Sequence, residues 1–132
     1  MVSTILVDHD LQGHTIFLEV GWHETGWDQL LQLEFKLLRD FGLPDSYPDH
    51  AIWRFVQQQR FLLITNNRNR EDETSLQATI ERENTPDSLP VLTVSNKELL
   101  VQTDYRQRVA QRLAAILIYP EQYLGAGRVF VP

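Results

Sequence analysis

The chain opens on Thr4-Ile5-Leu6-Val7, a short β-branched and apolar run that stops abruptly at the charged triplet Asp8-His9-Asp10. A run apolar at every position fits a strand buried on both faces, as in a parallel sheet. Beyond Gly13, the stretch from His14 to Thr25 brings Ile16, Phe17, Val20 and Trp22 close to one stripe and predicts a helix, with Gly21 and Gly26 acting against it. Leu31, Leu33, Phe35 and Leu37 then alternate with Gln32, Glu34 and Lys36. That is the period of a half-exposed strand, with a helix as the competing reading.

Gly42, Pro44 and Pro48 make Asp40 to Pro48 a loop, and Ile52, Phe55 and Val56 give the i, i+3, i+4 face of a helix from about Asp49 to Gln59. Phe61 to Thr65 is the clearest strand, ending in the turn-rich polar cluster Asn66-Asn67-Arg68-Asn69-Arg70. Leu76, Thr79, Ile80 and Glu83 fit a short helix that Asn84-Thr85-Pro86 closes, because proline disfavours helix at the residue before it. Val91 to Val94 forms the next strand. From Thr103, the positions Tyr105, Val109, Leu113, Ile116 and Leu117 predict an amphipathic helix closed near Pro120, with Arg106, Arg108 and Arg112 on its outer face. Val129 to Val131 is the last strand. The preceding Gly125-Ala126-Gly127 follows a helix and leads into a strand, the reverse of a dinucleotide loop, and reads as helix termination.

Strands and helices thus alternate from end to end. This predicts one α/β domain over residues 1–132, a three-layer α/β/α arrangement around a mostly parallel five-stranded sheet. Ligands of such sheets bind beyond the carboxyl ends of the strands, which gives weight to strand-end residues.

Composition narrows the picture. A chain of 132 residues with 42% apolar side chains can bury one core. The absence of cysteine removes disulfides, thiolate metal sites and a cysteine nucleophile. No apolar run approaches the roughly 20 residues of a membrane span and Met1-Val2-Ser3 lacks a basic signal region, so a cytoplasmic protein with no membrane contact is expected. With a net charge of −6, affinity for nucleic acid has to come from a local patch. The cations are mostly arginine, with lysine only at Lys36 and Lys97. There is no GxSxG and no GK[ST] motif, and His9, His14, His23 and His50 lack zinc-site spacing.

Three polar clusters fall at or just beyond strand ends: Asp8-His9-Asp10, Asp49 at a helix start, and Asn67-Arg68-Asn69 with Glu71 and Asp72. Converging on one edge, they can surround a hard cation, since magnesium and manganese take oxygen ligands and retain several waters. Each also has a plainer role. Asp8 can cap the next turn, Asp10 can form a turn or face solvent, Asp49 lies in the helix-start box Ser46-Tyr47-Pro48-Asp49, and the asparagines can be an adaptable loop. Trp22, Trp27 and Trp53 read as packing residues.

Ile5-Leu6-Val7-Asp8-His9-Asp10, Gly42-Leu43-Pro44 leading to Asp49-His50-Ala51-Ile52-Trp53, and Leu62-Leu63-Ile64-Thr65-Asn66-Asn67-Arg68-Asn69 together resemble the PIN-like domains. The likeness is to the short group related to the carboxyl-terminal module of Mut7-type exonucleases, and it spans nearly the whole chain. The resemblance implies a five-stranded parallel sheet and acids that hold magnesium or manganese for RNA cleavage. Asp8 matches the family's first-strand acid and Asp49 the acid opening the following helix. The family's third-strand motif is similar to Thr-x-Asp-x-Asp, whereas Asn67 and Asn69 stand at its two acidic positions. An amide oxygen can ligate a hard ion but brings no charge.

On this resemblance the expected function is a metal-dependent endoribonuclease. Asp8, Asp49 and Asp72 would be catalytic, the same three with Asn67 and Asn69 would hold the ion, and Arg68 and Arg70 would contact RNA phosphates. The alternative is a catalytically degenerate PIN-like module that binds RNA or a partner protein, and a homodimer is a candidate assembly. A receiver-type phosphoacceptor domain also carries aspartates at such an edge, but asparagines follow Thr65 where its phosphoacceptor would stand.

Overall fold

A computed structural model of the chain describes residues 3–67 and 75–132. Five strands, β1 (Ser3–Val7), β2 (Leu33–Leu37), β3 (Leu62–Thr65), β4 (Val91–Thr93) and β5 (Arg128–Phe130), form one sheet in the order β2-β1-β3-β4-β5. Every neighbouring pair is parallel. Among the described residues, four α-helices connect them: α1 (Thr15–Glu24), α2 (Asp49–Gln59), α3 (Leu76–Glu83) and α4 (Thr103–Ile118). Of the alternating residues after Leu30, Leu33–Leu37 are therefore a strand, at one edge of the sheet, rather than a helix.

The strands' period of two sorts their side chains between two cores. Ile5, Val7, Leu62, Ile64 and Leu92 pack with Leu18, Trp22, Val109 and Leu113 of α1 and α4. Leu6, Leu63 and Val91 face the other way, onto Ile52, Trp53 and Val56 of α2 and Ile80 of α3. Both layers of the predicted sandwich are thus present, and the sheet is covered on each side. Among the described residues, no helix is long and apolar enough to cross a membrane.

Three local expectations need correction. Ile16 is 58% exposed, and the buried stripe of α1 runs through Leu18, Gly21 and Trp22. The reason is the close crossing of α1 and α4: a Cβ on Gly21 would lie 2.8 Å from the Arg106 carbonyl oxygen, so the contact centres on the glycine. Arg106 does not sit on an outer face. Its guanidinium makes two 2.7 Å bonds to Glu24, bracing α4 against α1, while Arg108 and Arg112 are exposed. Finally, α4 ends at Ile118, ahead of Pro120, without help from Gly125 and Gly127. Those glycines, both at φ +79°, instead shape the turn that brings the chain into β5.

Candidate functional site

The strand order 2-1-3-4-5 places a topological switch point between β1 and β3, where connections leave in opposite directions and open a crevice at the carboxyl edge. The polar residues that follow these two strands meet in that crevice. β1 delivers Asp8: its backbone N–H still bonds the Ile64 carbonyl at 2.9 Å, continuing the β1–β3 ladder, and the chain then turns into a 3-10 helix over His9–His14. The Asp8 carboxylate accepts the His9 N–H at 2.8 Å, so its expected capping role is real. Its other oxygen accepts the Thr65 hydroxyl at 2.8 Å, and the residue is only 5% exposed.

Asp10 returns to the same hydroxyl. Its Oδ1 stands 3.2 Å from Thr65 Oγ1, which in turn accepts the Asn67 N–H at 2.9 Å. A threonine hydroxyl has one proton, so two carboxylates share a single donor. The Asn66 N–H gives Asp10 only a long additional bond, 3.4 Å. The consequence is electrostatic crowding. Burial first, and the neighbouring Asp10 charge second, push the Asp8 carboxyl up to about 6. Burial also raises Asp10 above the ordinary carboxylate range.

Asp49 approaches from the other side of the sheet. It is the first residue of α2, behind an N-cap at Pro48 whose side chain makes no cap bond. Asp49 Oδ2 accepts the Asn67 amide at 3.1 Å. The Asn67 backbone is itself held from two strands away, because Arg128 of β5 donates to its carbonyl at 2.8 Å and to Thr93 Oγ1 at 2.7 Å. On the α4 side, Lys97 follows β4 and donates to the Asp10 carbonyl at 2.9 Å. Asp8, Asp10, Asp49, Asn66, Asn67 and Lys97 are among the residues lining the resulting open cleft of about 760 Å³.

Of the residues expected from sequence, Asp8, Asp49 and Asn67 come together here, while Arg68, Asn69, Arg70, Glu71 and Asp72 lie outside the described residues. Asp10, read as turn-forming or solvated, shares the Thr65 hydroxyl with Asp8 and belongs to the cluster. Thr65 and Lys97 were not singled out. The same strand-end rule that selected Asp8 would have selected Ser95-Asn96-Lys97, since β4 also ends in a polar run at this edge.

The donor set suits a hard ion. Magnesium needs no closed protein cage and is commonly held by one or two carboxylates with waters and substrate phosphates. Among the described residues, no three His, Asp or Glu side chains form a ready-made metal group. The crowded Asp8–Asp10 pair nevertheless supplies two oxygen-donor groups whose mutual repulsion a cation relieves.

Fold and site together define a parallel α/β protein with a carboxylate-lined cleft at its switch point. No protein-family model, no curated protein and no solved structure matches the chain.

Proposed function

We propose that the protein is a PIN-like, magnesium- or manganese-dependent ribonuclease that acts on RNA phosphodiesters in the cytoplasm. The observation that carries this reading is the pair of buried Asp8 and half-buried Asp10 sharing the single Thr65 proton at the switch point. Asp8 and Asp10 would hold the ion, with Asp49 reaching it from the start of α2. A bound ion would supply charge to a phosphodiester and lower the pKa of an attacking water. Thr65 keeps the two carboxylates turned toward each other, and Asn67 fixes the direction of Asp49. On the sequence resemblance alone, Asn69 and Asp72 would join the ion's ligands in this reading, and Arg68 and Arg70 would contact the substrate phosphates.

A labelled single-stranded RNA incubated with the protein and manganese tests it. Cleavage is expected, abolished by chelation and reduced by about 100-fold or more in Asp8→Asn. An intact RNA with the wild-type protein, or equal cleavage by the variant, overturns the proposal.

One observation favours a second reading, a non-catalytic module for RNA or a partner protein, with a homodimer as one such assembly. The Asn67 amide already occupies an Asp49 oxygen where an acid at position 67 would instead add charge. If activity appears only when Asn67→Asp and Asn69→Asp are combined, the natural chain is the binding module. If the double variant cleaves no better than the wild type, the degenerate reading loses its support.

A further inference from the structure

We propose that Lys97 is a substrate-binding residue of the cleft, its ammonium engaging a phosphate oxygen of the RNA strand. The inference rests on the ribonuclease reading above and extends it to a residue on the opposite wall from Asp49.

Three features of Lys97 carry the argument. The first is position. It stands in the 3-10 helix Lys97–Val101 that follows β4, and Leu99 and Leu100 of that helix pack into the α1/α4 core, whereas α2 carries Asp49 on the other face of the sheet. A strand of RNA lying over Asp8 and Asp10 therefore meets Asp49 on one wall and Lys97 on the other. The second is order. The side chain is half-buried and its Nζ is fixed at 2.9 Å from the Asp10 carbonyl oxygen, so little conformational freedom remains to be lost on binding.

The third feature is its charge. The cleft contains Asp8, Asp10, Asp49 and Glu98, yet Lys97 forms no ion pair with a described carboxylate and gives its one hydrogen bond to a neutral carbonyl. An ammonium has three donors. Two remain to be directed into the cleft, and although the charge also acts at a distance on the Asp10 carboxylate, no carboxylate oxygen among the described residues sits on the ammonium to block an anion from it. His9 is the other potentially cationic residue lining this cleft among the described residues, and it is exposed. In a chain of net charge −6, a fixed cation beside the carboxylates supplies the local attraction that the average field denies to a polyanion.

Lys97 also tethers its helix to the Asp10 turn, and the experiment has to separate that from phosphate binding. Lys97→Gln preserves a donor for the Asp10 carbonyl and removes the charge, while Lys97→Arg preserves both. Steady-state cleavage of a short single-stranded RNA in manganese is measured across a salt series, with thermal stability and manganese affinity read in parallel. Lys97→Gln is expected to raise KM about tenfold with kcat within about twofold of wild type, and to flatten the salt dependence of kcat/KM by about 0.7 in slope. Its melting temperature should match the wild type, its manganese affinity should be no weaker because a like charge beside the ion's carboxylates has gone, and Lys97→Arg should restore KM.

Unchanged KM and salt slope in Lys97→Gln overturn the proposal. So does a KM rise that comes with lost stability and that Lys97→Arg leaves uncorrected, since that is the signature of the tether alone. Absence of any cleavage by the wild type is a different result, which removes the ribonuclease reading itself.

Discussion

Asp8 does two jobs that conflict. Its carboxylate caps the turn after β1 and receives the Thr65 hydroxyl, yet burial and Asp10 hold its folded-state pKa at about 6 against an ordinary 3.8. A raised folded pKa means that the native state binds the proton more tightly than the unfolded chain does. The associated stability is present in full below about pH 3.8 and is lost as pH rises through about 6, amounting to about 3 kcal/mol at neutral pH. Asp8→Asn keeps the shape and the bond from His9 while removing the charge. Urea unfolding should therefore show the variant more stable than wild type at about pH 7.5, by about 1–3 kcal/mol, with the gain disappearing near pH 4. A gain of the same size at both pH values would mean that charge burial is not its source. Gaining stability by removing a carboxylate is the behaviour expected of a residue kept for chemistry.

Helices α1 and α4 are held together at the scale of elements by a close approach rather than by large side chains alone. Gly21 admits the α4 backbone at Arg106, and the Arg106 guanidinium then reaches Glu24 with two short bonds. A methyl group at position 21 would be forced against backbone, which cannot move aside as a side-chain tip can. Gly21→Ala should cost about 1–3 kcal/mol in chemical denaturation despite the better helix propensity of alanine. No loss of stability would show that the two helices slide without penalty. Because the 3-10 helix bearing Lys97 packs with α1 and α4, the same substitution should also weaken the Lys97 wall of the cleft more than the Asp49 wall.

For the molecule as a whole, periodicity carried most of the fold. Ile5 to Val7 and Leu62 to Ile64 are apolar on consecutive residues because both sheet faces are covered, and Ile52, Phe55 and Val56 repeat at helical spacing because α2 packs one face against the sheet. Periodicity is blind to partners. It missed the Gly21 crossing, which depends on what faces α1, and it placed Arg106 outside because Glu24 is 82 residues away in sequence. The site was legible to the same degree. Asp8 follows a buried strand and could be found by that rule, but Asp10 gains its importance from Thr65, 55 residues on, and Lys97 from the Asp10 turn it reaches across β3's end. Such meetings follow from strand order, which alternation of elements leaves open. The order β2-β1-β3-β4-β5 is what gathers these residues at one crevice.

The claim that this crevice is a cation site for phosphodiester chemistry is tested most directly by crystals soaked in manganese, with data collected for the anomalous signal of the metal. A peak at about 2.0–2.2 Å from an Asp8 carboxylate oxygen, with Asp10 or Asp49 in the same coordination shell and no peak in Asp8→Asn, is the predicted result. Saturating manganese that leaves the Asp8–Asp10 pair without anomalous density, or that binds there equally in the variant, would contradict it.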